Sequence, residues 1–189
     1  KVKTLGMQAF QAAVNLKELE LPEGIKLIPL TCLNSASVAM TMKKLTLPAS
    51  VDSLGLNSMT LPELEILKFK GAVPPRVAKK TTTWTQYAWQ ISETNAKNTT
   101  KSAKVLVPAG SVDAYKATEG IGNYFTTILP EKDTILVDGM YFELDNETQT
   151  ASLIQAQNDA KKYEAESYVI PATVSKDELE YPVVSLARR

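Results

Sequence analysis

The 189-residue chain has no histidine, a single cysteine, few aromatics (7%) and no net charge. Each shortage removes a class of function. Without histidine there is no Ser-His-Asp or Cys-His triad, no imidazole general base and none of the usual zinc sites. The lone Cys32 cannot form an intrachain disulfide, so the redox compartment is not readable from it, and we expect it to be buried packing. Lysine plus arginine and aspartate plus glutamate balance at 21 each with no basic block, which argues against nucleic acid or anionic lipid as the main partner. The longest uncharged run, Leu27 to Met42, is interrupted by Pro29 and Asn34. It falls short of the roughly 20 apolar residues a bilayer-spanning helix needs, so no membrane insertion is expected within this chain.

What the chain does have is repetition. A Leu-x-Leu-Pro-x-x-Val/Ile phrase reads Leu19-Glu-Leu21-Pro22-Glu-Gly-Ile25, then Leu45-Thr-Leu47-Pro48-Ala-Ser-Val51, with a partial copy at Val169-Ile170-Pro171-Ala-Thr-Val174. A second phrase follows in register, Val2-Lys-Thr-Leu5-Gly6 matching Val51-Asp-Ser-Leu54-Gly55, and Ile25-Lys-Leu-Ile28 fills the slot between them. Repetition at a period of roughly 20–30 residues is the mark of a solenoid. The two leucines of Leu-x-Leu point to one side of an extended segment, and the proline after them has no N–H for a ladder, so it belongs past the strand end. Each coil buries about four to six aliphatic groups at roughly 1.5–3 kcal/mol each, enough only when coils stack. The third copy, Leu64-Glu-Ile-Leu67-Lys-Phe69-Lys-Gly71, puts Phe69 in a leucine position and loses the proline, and Ala9-Phe10 looks like the buried aromatic of the first coil's outer wall.

These patterns predict an array over residues 1–130, read as a leucine-rich-repeat solenoid of short parallel β-strands with irregular or short helical returns. Gly71-Ala-Val-Pro74-Pro75 should end its first run, and a Thr-, Asn- and Lys-rich insert at 76–104 should interrupt the period. A cap at 105–130 resumes with Lys104-Val-Leu-Val107-Pro108, a short helical turn from Asp113 that Gly120 ends, and Asn123-Tyr124-Phe125 with Ile128 to cover the open end. Residues 131–189 are expected to form a small second module. In it Met140-Tyr-Phe-Glu-Leu144, a turn at Asp145–Thr148 and Ala151-Ser-Leu-Ile154 make a hairpin, residues 155–167 form a helix or loop, and Tyr168 to Leu186 opens a further array. The chain starts inside one repeat phrase and stops inside another, so we expect a fragment of a longer protein. Weak dimerisation through an apolar C-terminal end is a further expectation.

Catalysis would have to rest on carboxylates, lysine, tyrosine or Cys32. Glu18/Glu20 and Glu63/Glu65 have the i, i+2 spacing that puts each pair on one strand face, either as an acidic stripe or as an ordinary solvated face. Asp145-Asn-Glu lacks the spaced oxygens and glycine of a calcium loop, and Gly120-Ile-Gly122 lacks the third glycine of a dinucleotide loop. No catalytic residue, cofactor or metal is expected. The feature above background is the cluster of Trp84, Tyr87 and Trp89 in the insert, which includes both tryptophans of the chain. Such aromatics stack on a sugar ring or anchor a protein partner; the other reading has Trp84 or Trp89 folding back to plug the interrupted array.

The segment Val107-Pro108-Ala-Gly110-Ser-Val-Asp-Ala114-Tyr115-Lys-Ala, with Asn123-Tyr124-Phe125 and Ile128, resembles the closing segment of BspA-like leucine-rich repeat proteins. Asp138-Gly-Met-Tyr-Phe-Glu-Leu144, with Val169-Ile-Pro171-Ala-Thr-Val174 and Tyr181-Pro-Val-Val-Ser-Leu186, resembles that family's opening module. The resemblance covers nearly the whole chain apart from the insert. The second and third repeats depart from it by lacking the Gly-x-x-Ala-Phe phrase seen at Gly6–Phe10. It implies a bacterial surface or secreted protein, non-catalytic, that adheres to host matrix proteins or other surface proteins. A carbohydrate-binding module and a structural spacer in a longer stalk are the alternatives. The resemblance transfers no family-wide binding residue.

Overall fold

The computed structural model describes residues 2–11, 13–34, 39–90, 95–154 and 167–186, which divide into two compact units, Lys1–Leu129 and Pro130–Arg189. In the first unit the strands are very short: β1 (Glu18–Glu20), β2 (Leu27–Ile28), β3 (Lys44–Leu47), β4 (Ser53–Leu54), β5 (Ile66–Phe69), β6 (Arg76–Val77), β7 (Lys80–Thr81), β8 (Thr85–Gln86), β9 (Lys104–Val107) and β10 (Thr127–Pro130), with one helix, α1 (Val112–Ala117), before β10. One sheet has the order β1-β3-β5-β9-β10 and a second the order β2-β4-β6. The first six strands alternate between the two sheets, so the backbone coils. From β1 to β9 in the first sheet, and throughout the second, neighbours are parallel. The described residues are mostly β with almost no helix, and the parallel strands of the first unit stack in the manner of a β-solenoid.

The register follows the sequence repeats. Leu19, Leu45, Leu67 and Val105 stand one above another, as do Leu47 and Phe69. Leu45, Leu47, Leu67 and Val105 are fully buried, and Ile25, Ile28, Val51 and Leu54 fill the core from the opposite wall. Pro22 and Pro48 sit just past β1 and β3, at a corner that side chains fasten. The Glu23 carboxylate accepts from the Ala49 and Ser50 amides (3.0 and 3.2 Å), while the Ser50 hydroxyl donates to the Ile25 carbonyl (2.9 Å) and accepts from the Gly24 amide (2.8 Å). At the next corner the coils touch backbone to backbone. A Cβ on Gly55 would lie 2.9 Å from the Leu30 nitrogen, so a glycine is required there.

The ladder continues past Pro75 into the first residues of the insert, where the run was expected to end. Arg76 and Val77 pair in register with Ser53 and Leu54, and the Arg76 and Ala78 amides donate to the carbonyls of Asp52 and Leu54 (2.8 Å each). The outer wall continues as well. Phe10, half-buried, donates its amide to Cys32, Leu33 bridges Met59, and Met59 donates to Ala88. Ala88 and Trp89 therefore form the wall of the next coil. The diproline at 74–75 is compatible with this because it falls before β6, at a corner that needs no ladder donor.

The second unit is a five-stranded sheet of order β11-β12-β13-β15-β14, from β11 (Lys132–Val137), β12 (Met140–Asp145), β13 (Thr150–Ile154), β14 (Thr173–Lys176) and β15 (Leu179–Leu186). The β12–β13 hairpin turns where Asp145 Oδ1 accepts the amides of Glu147 and Thr148 (2.9 Å each). Lys132–Val137 adds a strand to the expected β12–β13 hairpin, and the segment read as an opening coil is an antiparallel β14–β15 hairpin whose long strand runs parallel to β13. Met140, Phe142, Leu144, Ala151, Val174 and Tyr181 form this unit's own core. Asn146, 2% exposed, is satisfied on every side: its amide donates to Glu131, its Nδ2 to Pro130, and its Oδ1 accepts the Tyr181 hydroxyl. The helix-or-loop expectation for 155–167 falls, but for its last residue, outside the described residues.

Candidate functional site

The three insert aromatics part company in the fold. Trp89 is 0% exposed. Its ring meets Phe125 edge-on at 5.0 Å and stacks with Tyr124 at 6.4 Å, and its Nε1–H donates to the Gly120 carbonyl at 2.5 Å. Tyr124 in turn donates its hydroxyl to the Thr99 carbonyl at 2.5 Å and packs edge-on against Phe125. Tyr87 is also buried, donating to Glu119 Oε1 (3.2 Å) and accepting from Asn123 Nδ2 (3.0 Å). Gly120 has φ +84°, and a Cβ there would lie 2.9 Å from both Tyr87 and Val77, so only glycine admits these two side chains beside it. Tyr87 and Trp89 thus join the insert to the cap, and both rings are buried. The cap aromatics Tyr124 and Phe125 are buried with them, and α1 ends before Gly120.

Trp84 is different. It lies half-buried in the connection of the antiparallel β7–β8 hairpin, next to the run Lys79–Thr83, most of it exposed. The hairpin is pinned at several points. Lys79 Nζ pairs with Glu119 (2.6 Å), Gln86 Nε2 donates to Asn57 Oδ1 (2.6 Å) and to the Gln90 carbonyl (3.0 Å), and the Thr82 amide closes the tip on the Trp84 carbonyl (3.1 Å). The bond from Lys79 also holds the Glu119 carboxyl below its ordinary range. The result is a small projection with ammonium, hydroxyl and indole groups on a rigid footing.

The outward face of the first sheet carries charge. Glu18, Lys44, Ile66 and Lys104 share one row, and Glu20 and Lys68 lie in the next, where Thr46 and Leu106 are buried. Lys70 forms an ion pair with Glu20 across the stack. Glu63 and Glu65 are not part of this face, contrary to the expected strand pair: they precede β5, in the loop before it, where Lys43 pairs with both (3.5 and 3.1 Å). Cys32 is fully buried, and desolvation pushes its thiol up to about 11, so it stays protonated and is a poor nucleophile at neutral pH. Among the described residues no group of three or more His, Cys, Asp or Glu side chains could hold a metal ion, and no helix is long and apolar enough to cross a membrane. A hollow of about 330 Å³ lies between Lys3–Leu5 and Gly24–Leu27 at the first coil.

No protein-family model, curated protein or solved structure matches the chain.

Proposed function

We propose that this chain is a non-catalytic repeat module of the BspA-like leucine-rich kind, exposed at a bacterial surface or secreted, which binds another macromolecule through the β7–β8 hairpin. One observation carries the reading: the insert buries two of its three aromatics, Tyr87 and Trp89, against the cap, and leaves Lys80–Thr83 exposed beside a half-buried Trp84. A rigid scaffold presenting a loop is the usual arrangement for recognition, because little chain entropy is lost on binding. Phe69 and Val105 in leucine positions, and the proline corners after β1 and β3, support the repeat assignment. A protein of the host matrix is the proposed partner. Trp84 beside threonine hydroxyls equally suits a sugar ring, which makes a glycan the second reading.

The test is a binding screen of the folded chain against immobilised matrix proteins and a glycan array, beside a Thr82→Ala/Thr83→Ala/Trp84→Ala variant that leaves Tyr87 and Trp89 in place. Loss of about tenfold or more in affinity for a matrix protein, in a variant with unchanged circular dichroism, is the expected result. Glycan binding lost in the same variant would replace the first reading with the second. A parent chain that binds neither would leave the spacer role and sink both.

A further inference from the structure

We infer that the partner presents an acidic segment to the β7–β8 hairpin and that Lys80 and Asn57 receive one of its carboxylates, which rests on the hairpin being the protein-binding element proposed above. Charge selects the partner. From position 76 to 104 the sequence carries Arg76, Lys79, Lys80, Lys97, Lys101 and Lys104 against Glu93 alone, so the insert is basic in a chain of zero net charge. The summed field of such a segment draws anions toward it. Lys79 is not the receptor, because its ammonium is committed to Glu119 (2.6 Å). Lys80 is exposed and forms no ion pair among the described residues.

Geometry supplies the second donor. Lys80 stands opposite Gln86 in the hairpin ladder, so the two side chains leave the same face. Gln86 Nε2 donates to Asn57 Oδ1 (2.6 Å) and to the Gln90 carbonyl (3.0 Å), which uses both of its hydrogens and fixes the Asn57 amide with its oxygen toward Gln86. The Asn57 Nδ2 donors then point away from Gln86 and have no partner among the described residues. Asn57 itself has φ +51° in the turn after β4, a left-handed conformation that asparagine tolerates. Gln86 thus holds an amide donor of the preceding coil beside the hairpin face that carries Lys80. An ammonium and an oriented N–H pair suit the two oxygens of a carboxylate. Half-buried Trp84, in the same hairpin, offers apolar surface to the aliphatic neighbours of that carboxylate.

The probe is a short fluorescein-labelled peptide of glutamate and alanine with one central leucine, compared with a counterpart in which glutamine replaces glutamate. Fluorescence anisotropy with the full chain should show saturable binding of the glutamate peptide, at least about tenfold tighter than of the glutamine peptide. Lys80→Glu should remove that preference, whereas Lys26→Glu, the same charge change in an earlier coil, should leave it in place. Asn57→Asp keeps the oxygen that Gln86 binds and replaces the amide donors by a second acceptor, so it should weaken the glutamate peptide at least about fivefold and spare the glutamine peptide. If Asn57→Asp loses its fold by circular dichroism, Lys80→Glu decides. No saturable binding of the glutamate peptide by the folded parent, or a preference unmoved by Lys80→Glu, would overturn the proposal. Hyaluronan bound in place of the peptide, with the same sensitivity to Lys80→Glu, would overturn the acidic segment in favour of a sugar-borne carboxylate. A matrix protein released by Thr82→Ala/Thr83→Ala/Trp84→Ala but indifferent to Lys80→Glu would overturn the carboxylate and leave the hairpin as the binding element. A matrix protein indifferent to both variants would overturn the hairpin itself.

Discussion

The indole N–H of Trp89 donates to the backbone carbonyl of Gly120, joining the insert to the cap across 31 positions of sequence. Around that bond Tyr124, Phe125 and Tyr87 close over the last coils, and Tyr115 reaches back from α1 to the Gly71 carbonyl (2.8 Å) while packing on Phe69 at 5.1 Å. The cap is therefore an aromatic seal with hydrogen bonds at its rim.

Trp89→Ala should cost about 3–5 kcal/mol, the usual penalty for emptying a buried aromatic site. Trp89→Phe retains much of the packing but strands the Gly120 carbonyl, and should cost about 1–3 kcal/mol. Urea unfolding followed by circular dichroism measures both. A Trp89→Ala loss below about 1 kcal/mol would mean that the seal contributes little to the first unit's stability.

The two tryptophans should be separable by light. A Trp89→Phe chain reports Trp84 alone, and its emission should be red-shifted and readily quenched by acrylamide. A Trp84→Phe chain reports the fully buried Trp89 and should resist the same quencher. Equal quenching constants in the two folded variants would contradict the opposite placements of these rings.

Stability should fall at both ends of the pH scale for identifiable reasons. The amides of Ala49 and Ser50 hold the Glu23 carboxyl below its ordinary 4.5, so its contribution is fully present above that value and is lost as pH falls through the folded-state pKa. Glu23→Gln should flatten this acid limb of the thermal midpoint. Burial raises Tyr124 from 10.0 to about 12, so its contribution is complete below pH 10 and is lost as pH rises toward 12. Tyr124→Phe should remove that part of the alkaline limb, and a limb unchanged in either variant would assign it to other groups.

In the second unit Val184 and Leu186 are 61% and 64% exposed on β15. Weak self-association through these two exposed side chains is expected at high concentration, read as a concentration-dependent sedimentation coefficient. Val184→Lys/Leu186→Lys should abolish it. A parent chain whose coefficient does not change with concentration would reject the contact.

Much of this arrangement is readable locally. Leu19, Leu45 and Leu67 announce their strands because a same-face apolar pair before a corner needs only a few residues to recognise, and Tyr124 and Phe125 announce a cover for the stack's end. Which of Trp84, Tyr87 and Trp89 turn inward is not readable, because the groups that receive Tyr87 and Trp89 come from Glu119 to Phe125, far along the chain. Arg76–Val77 is hidden by the diproline before it, which looks like a terminator until the corner is seen. Lys132–Val137 lacks a clean apolar alternation and so carries no strand signature of its own. The pairing of β15 with β13 has no local signature either, since it joins segments well separated in the chain.

The sequence alone thus determined the period, the inward columns, the corners and the absence of imidazole chemistry, all of which depend on residue type and short spacing. Only the tertiary structure decided which aromatics are core and which are surface, and how the start of the insert continues the ladder. Burial and strand pairing are set by whatever lies across the fold, and distant segments become neighbours only once the coils have stacked.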